Sequence, residues 1–287
     1  MLVIDAGRPR NYASNSLHNY LSRDGIAPRT LRHISRREVR RYGGVVRAGL
    51  VASAVCTPGG FDVRVQSGET RSSRTLLLAT GVSDELPRLR GALDFYGRGV
   101  HHCPYCDAWR YRDRPLAAYG PARAGLGLAL SLLTWSADVT VVTNGERPEP
   151  RDMRTASRLG INVRQEQIAR LEGAVSSRGP ARRGPLRRIV FRGGPPLAVA
   201  ALFFNTDKGQ RSRLPVALGC RVNQDGGVIH DRKQRTGVPG LYLAGDASFD
   251  VQFAIVAAAE GAKAAVAMNR ELQERDRALV LRRKAGP

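Results

Sequence analysis

Residues 116–143 read LAAYGPARAGLGLALSLLTWSADVTVVT, and their pattern decides the kind of fold this chain builds. Leu116 to Tyr119 is an apolar run of strand length that stops at Gly120. An apolar stretch of helical length then runs to about Trp135, and Val139 to Thr143 is a second apolar run rich in β-branched residues. Strand, helix and strand in that order predict a βαβ unit with parallel strands, and so an α/β chain. Gly120, Ala122 and Gly125 occupy the first turn as G-x-A-x-x-G. Glycines there let a backbone approach a pyrophosphate, and the alanine narrows that room. A helix end packed tightly on its sheet explains the same spacing. The second strand ends in Thr143-Asn144-Gly145-Glu146, without the acidic residue that holds a ribose hydroxyl or the arginine cluster that holds a 2′-phosphate. Arg147 and Arg151 are the only basic groups placed to reach back, so a nicotinamide pocket is weakly supported.

The most specific local signal lies just upstream, in His101-His102-Cys103-Pro104-Tyr105-Cys106-Asp107. Two cysteines at this spacing can close a small disulfide, and the motif lowers one thiol's pKa towards about 7. A zinc site would need a second ligand pair nearby, and the sequence has none. CPYC also resembles glutaredoxin, but there a long helix follows the pair, whereas here a turn and a strand follow. Two buried structural thiols remain a further reading. Cys56 and Cys220 stand alone and read as ordinary residues, and no metal centre is expected.

Further out, Thr75 to Ala79 is an apolar run entering Thr80-Gly81, and Phe61 to Val65 alternates as a strand beside a Ser67-Gly68 turn. Leu241-Tyr-Leu-Ala244-Gly245-Asp246 is a strand ending in an acid, followed by Gln252-Phe253-Ala254 opening an alanine-rich helix to about Asn269, with a fraying charged tail. Such a helix start favours an anionic ligand edge, and Asp246 can accept from a sugar hydroxyl. Thr30 to Tyr42 reads as an arginine-studded surface helix, residues 173–196 as a long hairpin with mobile ends, and Leu197 to Phe204 as one buried strand. The chain opens on the strand Leu2-Val3-Ile4-Asp5, and such a strand end carries the ribose carboxylate of a dinucleotide-binding fold. Only four residues precede Asp5, so the first strand and glycine loop of that fold are missing, and the natural frame is expected to extend upstream.

Of 287 residues, 42 are Arg and four are Lys, giving a formal net charge of +21. The arginines run from Arg8 to Arg283 without clustering, which favours a coding bias over a nucleic-acid groove. No stretch of 18 apolar residues exists, and the N-terminus is too short for a signal h-region, so no membrane span is expected and a cytoplasmic location is.

The order Asp5, Ala79-Thr80-Gly81, CPYCD, GxAxxG and Ala244-Gly245-Asp246 with its AIVAAAEG helix resembles the low-molecular-weight thioredoxin reductases and their FAD-dependent relatives. Those relatives include dithiol oxidases that close disulfides in gliotoxin- and holomycin-type metabolites. The likeness implies two interleaved Rossmann-like nucleotide-binding domains: an FAD domain from 1–84 and 205–287, and an NAD(P)-type domain at 85–204 carrying the redox pair. It implies that Cys106 faces the flavin, Cys103 exchanges with substrate and Asp107 is the acid/base. It assigns FAD to Asp5, Ala79, Thr80, Gly81, Gly245, Asp246, Gln252, Phe253 and Ala254, and NAD(P)H to Gly120, Ala122 and Gly125. A homodimer acting on a thioredoxin-like protein or a small-molecule dithiol or disulfide follows from the same likeness. The sequence departs from the pattern in the missing N-terminal glycine loop, in Ala108 where glycine is usual, and in the absent basic motif for NADPH. Three activities fit: a disulfide reductase, a dithiol oxidase that passes electrons to oxygen, and a flavin-free binding homologue.

Overall fold

The computed structural model describes residues 1–174, 184–205 and 207–285. The quoted stretch forms the strand Leu116–Tyr119, the helix Ala122–Leu132 and the strand Val139–Val142, with the two strands parallel. They sit inside a five-stranded parallel sheet ordered Asn162–Arg164, Val139–Val142, Leu116–Tyr119, Ala201–Phe204 and Val100–His101. Both faces of this sheet are covered, as its near-continuous apolar strands require. Ala117, Val142, Leu202 and Phe204 pack on one side, and Leu116, Ala118, Val141 and Phe203 on the other. Gly120 and Gly125 set the closeness of helix and strand, because a Cβ on Gly125 would stand 3.0 Å from the Gly120 carbonyl oxygen.

Strands from before Asp84 and after Asp207 build a second body. Leu2–Asp5 pairs with Val45–Ala48 and Leu76–Leu78 with Leu241–Leu243, both in parallel. Val51–Thr57, Gly60–Val65 and Thr70–Ser73 form an antiparallel sheet in which Phe61, Val63 and Val65 are buried, as their alternation predicts. The ribbon Val82–Asp84 against Lys208–Gln210 lies where the chain passes between the two bodies.

Three expectations are corrected. Leu197 to Phe204 is two strands: Leu197–Ala198 joins an antiparallel sheet with Leu186–Phe191 and Ile168–Gly173, and Ala201–Phe204 enters the parallel sheet. The 173–196 hairpin is therefore part of a three-stranded sheet beginning at Ile168, and residues 175–183 within it lie outside the described residues. The last helix spans Ala254–Ala285 and so runs past its expected end near Asn269. Its charged residues hold it to the body: Tyr242 donates to Glu271, Glu271 pairs with Arg275 one turn on, and Asp276 pairs with Arg74 at 2.5 Å. No helix among the described residues is long and apolar enough to cross a membrane.

Candidate functional site

Cys103 and Cys106 are joined as a disulfide, with Cα atoms 5.3 Å apart. Cys103 caps the single-turn helix Pro104–Asp107, and its sulfur accepts the Cys106 N–H at 3.1 Å. Proline at the first helical position leaves no donor wasted there. The turn directs Cys106 and Asp107 into a cleft of about 240 Å³, walled opposite by Asp246, Gln252, Phe253 and Ala254. Cys103 does not line this cleft, so the two sulfurs face different surroundings.

Asp246 reaches the cleft through strand pairing. Leu241–Leu243 runs beside Leu76–Leu78, and the Ala244 N–H donates to the Leu78 carbonyl at 3.0 Å, so Ala79-Thr80-Gly81 and Ala244-Gly245-Asp246 leave the sheet side by side. Gly245 has φ +81°, and its N–H is held by Glu260 at 2.6 Å. The Thr80 hydroxyl is buried without a partner among the described residues. An orphaned buried hydroxyl on the strand end next to the one that carries Asp246 into the cleft, and a cleft lined by both polar side chains and Leu17, Tyr96 and Phe253, suit a ligand with a ring and polar atoms of its own, as a flavin has.

Arg10, which the sequence does not single out among its 42 arginines, ties this rim together. Its guanidinium grips Asp84 with two nitrogens, one at 2.6 Å, and reaches Asp246 at 3.0 Å and Gln252 at 2.8 Å. Burial pushes the Asp84 carboxyl up, but the Arg10 hydrogen bond and the charges of His102, Arg10 and Lys208 outweigh burial and hold it below the ordinary aspartate value. Burial lowers the His102 pKa, helped by Arg10 and opposed by Asp84 and Asp107. Because the Asp84 pKa is lower folded than unfolded, its contribution is complete above about pH 4 and fades as pH falls through the folded value. In urea unfolding, the gap between the native protein and Asp84→Asn is therefore expected to be widest near neutrality and to narrow on acidification below about pH 4. A gap independent of pH would contradict the ion pair.

His101 is buried between Asp107, with Nδ1 3.2 Å from Oδ2, and the Tyr111 hydroxyl, 3.0 Å from Nε2. Burial raises the Asp107 pKa, yet the His101 hydrogen bond and the charges of His101, Arg110 and His102 pull it below the usual range. The carboxylate is thus held ionised near neutral pH.

The other expected positions lie apart. The Asp5 carboxylate accepts the Gly7 N–H at 2.7 Å and is held by Arg36 at 2.6 Å; burial would raise its pKa, and these partners lower it. Gly7 lines a second cleft of about 770 Å³ with Arg29, Arg32 and Arg98, which shares Ala13 and Ser14 with the first. Gly97 permits that shared wall, since a Cβ there would meet the Ala13 carbonyl oxygen at 2.5 Å and its φ is +73°. Gly120 and Gly125 line neither cleft, and the side chain of Ala122 lies outside what the structure describes. After the second strand of the βαβ unit, the Thr143 hydroxyl donates to the Glu146 carbonyl, the Asn144 amide oxygen accepts from Ile168, and Arg151 is held by Glu149. Cys220 is a buried core thiol, pushed up by burial, and Cys56 is exposed.

A family model described as pyridine nucleotide-disulphide oxidoreductase matches residues 4–261. The chain belongs to that family. A probable thioredoxin reductase from Arthroderma benhamiae is 28% identical over 96% of this chain and 74% of its own length. The crystal structure of HlmI superposes with a TM-score of 0.91 at 32% identity, covering 99% of this chain and 88% of that one. The putative thioredoxin reductase TrxB of Bacillus anthracis gives 0.86 at 27% identity, covering 96% and 91%. Two nucleotide-binding α/β units and an FAD-dependent, thioredoxin reductase-like thiol-disulfide oxidoreductase are thereby established, as the likeness in the sequence implies. FAD is the cofactor of this pyridine nucleotide-disulphide oxidoreductase, and thiol-disulfide exchange is its chemistry. A flavin-free homologue is set aside.

Proposed function

We propose that this chain moves electron pairs between the cleft lined by Cys106 and a disulfide substrate that meets Cys103. The observation that supports it is the asymmetry of the pair: Cys106 lines the cleft with Asp107, Asp246 and Gln252, and Cys103 does not. FAD bound there supplies reversible two-electron exchange with the disulfide. Thr80, Gly245 and Asp246 at the paired strand ends, with Gln252, Phe253 and Ala254 opening the last helix, hold its flavin end, and Asp5 holds its ribose. The FAD unit is formed by 1–84 and 205–287 and the unit bearing the cysteines by 85–204, a division supported by the pairing of Leu76–Leu78 with Leu241–Leu243 and by the ribbon at Val82–Asp84 and Lys208–Gln210. The working form is a cytoplasmic homodimer, and the partner is a thioredoxin-like protein or a small disulfide.

In the reductive direction the Asp107 carboxylate takes the proton of the attacking Cys103 thiol and returns a proton to the departing thiolate. Both protons and both electrons delivered to the substrate come from the Cys103–Cys106 dithiol, which closes to a disulfide. The opposite direction, oxidation of a dithiol with oxygen as acceptor, is favoured by one observation. The Thr143 hydroxyl is spent on Glu146, Asn144 on Ile168 and Arg151 on Glu149, which leaves Arg147 as the basic group after this strand that could grip a nicotinamide ribose or its phosphate. One pair of assays decides. Reduction of bis(2-hydroxyethyl) disulfide by NADPH under argon supports the reductase, and oxygen uptake driven by dithiothreitol without nicotinamide supports the oxidase. Neither activity in the flavin-loaded protein contradicts both.

A further inference from the structure

Asp107 is not alone in its corner of the cleft. His101 stands at the end of the edge strand Val100–His101, whose neighbour Ala201–Phe204 presses the Phe203 ring to 5.5 Å from the imidazole. The side chain is 2% exposed, yet both of its nitrogens are engaged: Nδ1 with Asp107 at 3.2 Å and Nε2 with the Tyr111 hydroxyl at 3.0 Å. A phenyl ring would fill this apolar niche at lower desolvation cost, so the imidazole is kept there for what its nitrogens do. Tyr111 closes the 3₁₀ turn Ala108–Tyr111 immediately after the redox motif and packs its ring 6.4 Å from Phe203. One short segment therefore carries both ends of a chain that runs Tyr111, His101, Asp107.

We propose that Tyr111 and His101 are positioning residues for Asp107. Resting on the proton-transfer role given to Asp107 above, this assigns the shell that makes the role work. A neutral imidazole has one donor and one acceptor nitrogen. The tyrosine hydroxyl can donate, and the carboxylate can only accept. The Tyr111 O–H therefore takes the Nε2 lone pair, fixes the proton on Nδ1 and turns that N–H onto Asp107 Oδ2. The imidazole holds Oδ2, and Oδ1, which faces the Arg110 guanidinium at 3.6 Å, is the oxygen that meets the thiol proton. During exchange the balance is closed. Asp107 takes the proton of the attacking thiol, the Cys103 sulfur bonds to one substrate sulfur, the substrate S–S bond breaks, and the departing thiolate receives that proton. The Cys106 thiol then attacks Cys103 in the same way, releasing the second substrate thiol and leaving the enzyme disulfide. Other charged or titratable groups facing Asp107 are Arg110, 3.6 Å away, and His102; Tyr111 and Tyr96 complete the surroundings.

The test uses the flavin-loaded protein, reduced with dithiothreitol and mixed anaerobically with two disulfides in turn. Bis(2-hydroxyethyl) disulfide releases an alkyl thiolate that needs a proton, whereas dithiobis(nitrobenzoate) releases an arylthiolate that leaves without one. Tyr111→Phe and His101→Phe are expected to slow alkyl exchange about tenfold or more and the aryl exchange at alkaline pH little. Both are expected to shift the acid limb of the rate profile to higher pH, because Asp107 loses the N–H that holds it ionised. His101→Gln, which keeps one donor and one acceptor, is expected to restore most of the alkyl rate and the native limb. Equal slowing of both disulfides with an unmoved limb, or native behaviour of Tyr111→Phe, overturns the proposal. Tyr111→Phe removes only a hydroxyl, so it decides the matter even where His101→Phe does not fold. A Cys106→Ser protein that still turns over in this assay defeats the parent reading instead, and so the two failures are separable.

Discussion

Cys106→Ser is expected to lower disulfide turnover by on the order of a thousandfold or more while leaving flavin binding and the fold intact. Cys106 is half-buried at the cleft wall, and its neighbours Asp107 and Asp246 are not bonded to its sulfur, so an isosteric oxygen disturbs no packing. What it removes is the only sulfur that lines the cleft. Cys103→Ser is expected to stop turnover as well, for a different reason: the cleft sulfur survives, but nothing remains to form the mixed disulfide with substrate. Iodoacetamide labelling of the reduced protein separates the two positions. FAD is expected to protect Cys106 and leave Cys103 reactive. Equal protection would contradict the division of labour.

The largest expected loss of stability comes from Arg10→Ala. Its guanidinium is the shared partner of Asp84, Asp246 and Gln252, and its side chain is 16% exposed against 8% for Asp84. Removing it leaves Asp84 buried with His102 3.9 Å away as a weak substitute. Breaking one side of a pair buried this far costs about 3 kcal/mol, so the urea midpoint is expected to fall accordingly. The sign of the pH dependence also changes. Without Arg10, burial dominates and raises the Asp84 pKa, so the variant is expected to recover stability relative to the native protein as pH falls towards 4. An Arg10→Ala protein as stable as the native one would mean the clamp carries no weight.

The parts of this molecule that were readable in the sequence are those whose signal is local. CPYCD, the turn at Gly120 and the strand ending in Asp246 each state their geometry within a dozen residues, and the structure forms the predicted strands at Leu116–Tyr119, Val139–Val142 and Leu241–Leu243. Arg10 was invisible because its partners lie 74 and 236 residues away, and one arginine among 42 has no periodicity to betray it. His101 carries no local sign of its role, because nothing beside it in the sequence shows that Phe203 and Tyr111 close over it. The break at Val199-Ala200 was missed for a related reason: both strands there are apolar, and only their change of partner, from Leu186–Phe191 to Leu116–Tyr119, reveals two elements. The length of the last helix was hidden for the same reason, since the partners of Glu271, Arg275 and Asp276 are Tyr242 and Arg74, far away in the chain.

Electron counting tests the central claim most directly. Anaerobic dithionite titration of the flavin-loaded protein is expected to consume two electron pairs per chain, one for FAD and one for the Cys103–Cys106 disulfide, and only one pair in Cys106→Ser. One pair consumed by both proteins would show that the disulfide does not exchange electrons with the flavin, and the account would fail.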